Sequence, residues 1–562
     1  MNASCGKIGL IFTVLLLFLE SGCVSDFSNG PKENVQSCDG ISVLRIKMDE
    51  ADWDSINYSK TYCPDVVVQI TNVAGEVEYE GAAGLKTRGN STWLAEKKPF
   101  TLKLPKKEVL FDLERGKEFT LLANSFDESF VRNAIAFETS RSLGLPAPCY
   151  EYVSLFVNDE YKGLYQMVNK VDVGVDGVHI VNLNKKNKIV NDKELKEYPP
   201  FSSGDSCSIG QKKGSDLEFN PDDITGGYLL DVTDIPDPYL RSCSGFVSDF
   251  GTMVRIKSPE RASRNEVDYI AEAFSQMEAA LMDSAGCNPI SGKHYTDYLD
   301  IESFARYYLV QELVMNADAG LCSFYIYKDA DSLDGRFYAG PVWDFDYALN
   351  TPLWQGLWLC SYEMFAESHS GFGNGGILFH LCLHDDFRKK VKEVYNEMRT
   401  QTADSFIEDS YWDSLFVLLK EEAERDCVLY PNYRKSSSYS EAFRRVRGFY
   451  EDRIEFLNWL WSADSADVVH VKCVTKANLP FLVFERMVGF YGSKEEGVKL
   501  PKFDYFIPKT LDAKTPRWYY CGTNERVAKG HRFKENQTVE LRWDDPTLFE
   551  RIDRRIKRLT NK

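Results

Sequence analysis

The chain has no surplus of basic charge, no paired-cysteine motif and no membrane-length apolar run, and each shortage removes a class of function. Lys and Arg number 67 against 85 Asp and Glu, a formal net charge of −18 with a pI near 5.1. A phosphate backbone demands a Lys/Arg surplus, so the balance argues against a nucleic-acid partner. Fourteen cysteines are present, but none form a C-x-x-C pair. Zinc-ribbon and thioredoxin-like readings therefore fail, and the spacing defines no disulfide pairing. Residues 8–19 are apolar, about twelve in a row and too few to span a bilayer. What is present points to a large globular protein. The 562 residues exceed one core, so two to four domains are expected, and 43% hydrophobic residues suffice to fill them.

The N-terminus reads as an export signal. Lys7 precedes the apolar run, and Ser21-Gly22 suits a cleavage site before Cys23. Ser-Gly-Cys resembles a bacterial lipobox, which implies a diacylglycerol on Cys23 and membrane attachment. The pattern departs at Glu20, where an aliphatic residue is usual. Residues 1–22 are thus expected to be a signal peptide and residues 23–40, polar and Gly/Pro/Ser-punctuated, a tether.

Residues 323–346, SFYIYKDADSLDGRFYAGPVWDFD, carry the most chemistry. Alternation at Phe324 and Ile326, a polar turn over 329–335 and a second strand predict a hairpin. Asp344 and Asp346, placed at i and i+2 on a strand end, would point the same way and suit a divalent metal. Upstream, Asp318 follows Asn316 and lies five residues before Ser323. Protein kinases use that order: a catalytic Asp, a metal-binding polar residue five later, then a hairpin ending in a metal-binding Asp.

Elsewhere, residues 41–44, 66–71 and 76–86 read as strands. Gly89-Asn90-Ser91-Thr92 is a loop before a strand in which Lys98, Phe100, Leu102 and Leu104 share one face. A Lys on an apolar face needs an anionic partner, so Lys98 is the phosphate candidate and Lys103 the solvated one. Residues 129–143 predict a helix whose Glu138 could pair with a strand Lys, and residues 152–168 a hairpin. Residues 185–223 lack periodicity and read as a loop or insertion. Helical patterns occupy 266–282, 301–315, 387–402 and 436–462. Short strands follow 464, where His470 and His531 are isolated and no catalytic motif is evident.

The stretches LKTRGNSTW with KKPFTLKL, LLANSFDESFVRNAIAFE, YVSLFVNDEYKGLYQMVNKVD, TGGYLLDVTD, RIKSP, and QELVMNADAGLCSFYIYKD with GPVWDFD resemble the CotH family. These are spore-coat-type atypical protein kinases, and the likeness is to lipoprotein members from anaerobic gut bacteria. The resemblance implies an α+β, kinase-like two-lobed fold with a small C-terminal all-β domain. Residues 41–183 would form a strand-rich N-lobe, 184–224 an insertion, 225–464 a helix-rich C-lobe and 465–562 a small β accessory domain. It further implies ATP with Mg²⁺ or Mn²⁺ and phosphorylation of Ser/Thr on a protein. Asp318 would be the catalytic acid/base and Lys98, with Arg88 and Asn90, the nucleotide anchors. Asp344, Asp346 and Ser323 would face the metal. The chain departs from the pattern at Asn169, where Glu is usual, and at Ser323, a weaker ligand than Asn. These departures, with the exported location, support a second reading: a catalytically degenerate surface scaffold. A carboxylate-pair glycosidase would need two acids about 5–10 Å apart across a sugar cleft, and no sugar-stacking aromatic pattern accompanies Asp318 and Asp344.

Overall fold

The computed structural model describes residues 40–544 apart from 90, 175–176, 204–207, 234–242, 317, 321–322, 351–362, 365–375, 403–405, 432–435, 464, 480–481 and 501–514. Cys23 and Asn90 thus lie outside the described residues. Strands and helices are mixed in comparable amounts, an α+β protein. The chain divides into two compact units, the first comprising residues 1–128, 149–170 and 416–439, the second the remainder.

The first unit is a closed barrel of seven strands in the order β1-β2-β3-β4-β5-β7-β6. These are β1 (Ser42–Lys47), β2 (Cys63–Thr71), β3 (Val77–Thr87), β4 (Phe100–Glu108), β5 (Gly116–Leu122), β6 (Tyr150–Val157) and β7 (Glu160–Asn169), with helix α1 (Glu50–Ser59) after β1. Alternating apolar residues build it: every second residue of β1 is buried, and Phe100, Leu102 and Leu104 of β4 enter the core with Leu44, Val68, Leu85, Phe119 and Leu155. Parallel pairing of β1 with β6 closes the barrel and leaves its wall no open edge.

The second unit holds a seven-stranded sheet in the order β14-β13-β10-β12-β11-β9-β8. Its strands are β8 (Pro200–Ser203), β9 (Lys212–Ser215), β10 (Tyr228–Thr233), β11 (Ser244–Val247), β12 (Met253–Ser258), β13 (Phe324–Lys328) and β14 (Phe337–Ala339). Helices α2 (Arg132–Ser142), α3 (Leu183–Val190), α4 (Arg264–Met282), α5 (Ile301–Leu313), α6 (Asp331–Asp334), α7 (Gly376–Leu381), α8 (Asp385–Gln401) and α10 (Tyr439–Ser462) belong to it. Helix α9 (Asp409–Leu429) begins there, and its residues from 416 onward belong to the barrel unit. A five-stranded sheet, β15 (Glu363–Met364), β17 (Leu482–Ser493), β16 (Val468–Leu479), β21 (Gln537–Asp544) and β19 (Thr515–Tyr520), lies towards the C-terminus. Beside it β18 (Val498–Lys499) pairs with β20 (Arg532–Phe533), and Val471, Cys473, Trp518 and Val539 share one core with Val498 and Phe533.

Several expectations change. Residues 185–223 contain α3, β8 and β9, and both strands join the main sheet, so the stretch is structural rather than a bare loop. The C-terminal sheet takes its edge strand from residues 363–364, upstream of the expected boundary at 465. The polar turn over 329–335 folds as α6.

Candidate active site

The site begins at the C-terminus of α5, where the chain must turn sharply into β13. Inside the protein, Arg453 donates from Nε to the Glu312 carbonyl at 2.8 Å and from Nη2 to the Glu312 carboxylate at 2.6 Å, with both side chains fully buried. This pair fixes the last turn of the helix. Met315 then takes a left-handed backbone, and the Asn316 amide NH returns to the Gln311 carbonyl at 3.1 Å. Buried Asn316 stabilises the turn from within. Its amide nitrogen donates to Gln311 Oε1 at 3.1 Å, and its Oδ1 accepts the Asp318 N–H at 3.2 Å. That last bond is an Asx turn, which orders the backbone on which partly exposed Asp318 stands.

Beyond the turn, Ser323 leads into β13 and donates from Oγ to Asp344 Oδ2 at 3.0 Å. Both residues occupy the left-handed region, Ser323 at φ 55° and Asp344 at φ 68°. Such conformations cost of order 1–3 kcal/mol each for ordinary residues and persist where surroundings over-determine them. Helix α2 does so here. Its Asn133 accepts the Phe345 N–H at 3.0 Å and donates to Asp346 at 2.7 Å, while Arg132 Nε donates to the Ala348 carbonyl at 2.9 Å. Phe345 is fully buried against Phe137 of the same helix, and the Leu349 N–H donates to the Val314 carbonyl at 2.7 Å, tying this segment back to the turn after α5.

This geometry corrects the expectation for the two acids. They do not share a strand end: β14 stops at Ala339, and Asp344 lies in irregular backbone. Asp344 meets Ser323, whereas Asp346 is buried and engaged by Asn133, which gives it a structural duty. Glu138 also departs from expectation. It is held by Arg141 on its own helix at 2.5 Å instead of by a strand Lys.

The nucleotide-side candidates belong to the barrel unit. The R-G-N-S-T-W loop needs glycine, since Gly89 is left-handed and a Cβ there would collide with Thr92 Oγ1. Arg88 donates to Thr120 Oγ1 at 2.5 Å. Lys98 precedes β4 and donates to the carbonyls of Trp93 at 2.7 Å and Ala95 at 3.0 Å, close to the Trp93 ring, and partial burial lowers its pKa. The anionic partner expected for Lys98 is taken by its neighbour. Lys97 is buried and bound to Asp426 of α9 at 2.6 Å. Lys103 pairs with Glu118 at 2.8 Å and is substantially exposed, as expected. Asn169 donates to the Glu114 carbonyl at 2.7 Å, so the side chain that replaces the usual Glu closes a loop of the barrel unit.

Asp231 was not legible as a site residue. All six residues of β10 are buried, and Asp231 is the one charged residue among them. Arg255 of β12 meets its Oδ2 at 3.2 Å, and among the described residues its Oδ1 has no hydrogen-bond partner. Burial pushes its pKa up, and the negative charge of Asp344 adds to that. A lone acid inside an apolar strand, YLLDVT, was the available signal.

A family model described as CotH kinase protein matches residues 85–457, about two-thirds of the chain. The chain belongs to the CotH kinase family. No curated protein matches it. CotH membership suggests an atypical kinase and implies, in general, ATP and a divalent metal. Among the described residues no three His, Cys, Asp or Glu side chains gather into a metal-binding group. The residues present nonetheless fit a kinase-type cation, which takes one or two carboxylates from the protein and completes its shell with phosphate oxygens and water. Asp344 and the orphaned Oδ1 of Asp231 are such oxygens.

Proposed function

We propose that this chain is an exported CotH-like kinase that transfers the γ-phosphoryl group of ATP to Ser/Thr hydroxyls of a protein substrate, using Mg²⁺ or Mn²⁺. The observation that carries the reading is the Ser323–Asp344 hydrogen bond, formed between two left-handed residues immediately beyond the Asn316–Asp318 turn. Backbone of that kind is retained where chemistry requires a side chain in one place.

In this reading Asp318 accepts the proton of the acceptor hydroxyl as its oxygen bonds to the γ-phosphorus. The bond to the bridging oxygen breaks, and ADP leaves. The metal, when bound, neutralises charge on the phosphates. Asp344 would hold it, and Ser323 keeps the Asp344 carboxylate oriented. Lys98 spends two of its three N–H donors on the Trp93 and Ala95 carbonyls and has a third for a phosphate oxygen. Arg88 and Asn90 of the same loop are the other proposed nucleotide contacts. Positioning and charge neutralisation supply most of such catalysis.

Export and lipid attachment through Cys23 are part of the proposal. They are supported by the Lys7-to-Cys23 pattern and by the disulfide at Cys149, since disulfides persist in oxidising compartments. Among the described residues no helix is long and apolar enough to cross a membrane. The scaffold reading keeps one specific support, the Ser hydroxyl at 323 where kinases place a metal-binding Asn. Incubating the purified chain with γ-labelled ATP and Mn²⁺ separates the two. Label on protein Ser or Thr is expected, and metal-dependent ATP binding with no transfer would favour the scaffold.

A further inference from the structure

We infer that Asp231 is the second carboxylate of the metal site, acting with Asp344 on one divalent cation. The inference rests on the kinase reading above and adds a residue from β10 that the hairpin motif does not contain.

Two observations carry it. Asp231 is only 4% exposed, yet one of its two carboxylate oxygens accepts no hydrogen bond among the described residues. Burying such an oxygen without a donor costs about 1–3 kcal/mol, and more for a charged group, so natural proteins rarely leave one. A carboxylate whose purpose was to neutralise Arg255 would commonly take the guanidinium on both oxygens. Here Arg255 meets Oδ2 through Nη2, and among the described residues nothing donates to Oδ1.

The second observation is position. Asp231 stands opposite Tyr325 in the β10–β13 pairing, two residues on from Ser323, whose hydroxyl holds Asp344. The sheet thus brings β10 beside the turn that presents the metal ligand. A divalent cation shared by the two carboxylates gives Oδ1 its partner. Oxygen donors and a compact charge point to Mg²⁺ or Mn²⁺.

The test is Mn²⁺ binding by the full chain, read by electron paramagnetic resonance without nucleotide, in the parent, Asp231→Asn, Asp344→Asn and the double variant. Removing one anionic ligand is expected to weaken Mn²⁺ by about tenfold or more, since ligand charge count sets affinity. The double variant should bind Mn²⁺ more weakly than either single variant, because each lost carboxylate removes a ligand from the same ion. Parent-like affinity in Asp231→Asn alongside a loss in Asp344→Asn overturns the assignment and leaves the kinase reading standing. A parent that takes up no Mn²⁺ overturns the assignment and leaves the kinase reading to the transfer assay, because a kinase-type cation also draws on phosphate oxygens. Asp231→Glu keeps the charge facing Arg255 and serves if Asp231→Asn does not fold. Its Mn²⁺ affinity should change severalfold, and an unchanged value overturns the assignment.

Discussion

Replacing Lys97 by Met should cost the barrel unit far more than any exposed lysine would, without removing nucleotide binding. The Lys97 ammonium is buried and donates to Asp426 at 2.6 Å and to the Leu164 carbonyl at 2.5 Å, above the Tyr165 ring. Asp426 also accepts the Leu164 N–H at 2.7 Å, so one buried pair joins α9 to β7. Burial works against both charges, lowering the Lys97 pKa and raising that of Asp426. Removing one partner strands the other, which typically costs about 3–5 kcal/mol. At roughly 2–4 °C per kcal/mol for a unit of this size, melting should fall by about 6–20 °C. Lys97→Met with Asp426→Leu should recover most of the loss, because an apolar pair of similar volume replaces a buried ion pair at little cost. Urea unfolding followed by near-UV circular dichroism reads both. A Lys97→Met chain within about 1 kcal/mol of the parent would refute the clamp. ATP-induced stabilisation should survive Lys97→Met and be lost in Lys98→Ala.

Three further outcomes follow from single side chains. Glu151, half-buried where it accepts the Ser42 hydroxyl, has its pKa pushed from the ordinary 4.5 up to about 7 by desolvation. The folded state therefore holds a proton that the unfolded state releases, and stability falls as pH rises from about 4.5 to about 7. Glu151→Gln should remove that slope and gain about 3 kcal/mol at pH 8, read from unfolding across pH. Asn169→Glu, although it restores the usual residue, should destabilise by about 1–3 kcal/mol, because a carboxylate cannot donate to the Glu114 carbonyl. Ser323→Asn should be tolerated, because Asn accepts left-handed backbone more readily than Ser, and should raise metal-dependent transfer if an amide oxygen joins the metal. Unchanged transfer would confine the role of residue 323 to orienting Asp344.

Much of the secondary structure was legible because burial alternates where composition does. The barrel strands β1, β6 and β7 and helices α4, α5, α8 and α10 lie close to their expected spans. Helix α1 escaped notice because it buries little beyond Ile56. Helix α9 escaped because its buried face carries charged groups, Glu422 and Asp426, whose partners Ser154 and Lys97 come from distant sequence. The same pairing explains the misplaced lysine. Pro99 separates Lys98 from β4, so strand alternation does not extend to it, and Lys97 turns inward instead. Asp344 and Asp346 looked like a strand pair because spacing reports periodicity and cannot report a left-handed residue. Asp231 was hidden because its strand partner Tyr325, beside the turn that carries Ser323, lies far along the chain, and no local pattern encodes that pairing.

The most direct test is labelled phosphate transfer from γ-³²P-ATP with Mn²⁺ under single-turnover conditions, with ATP affinity measured on the same samples, for the parent, Asp318→Asn and Asp344→Asn. A residue that orients the acceptor acts on the chemical step, so Asp318→Asn should keep ATP affinity and lose transfer by about 10²–10⁴-fold. Asp344→Asn should lose metal-dependent ATP binding together with transfer. A parent that binds ATP but transfers nothing, with Asp318→Asn indistinguishable from it, would contradict the assignment of this chain as an active kinase.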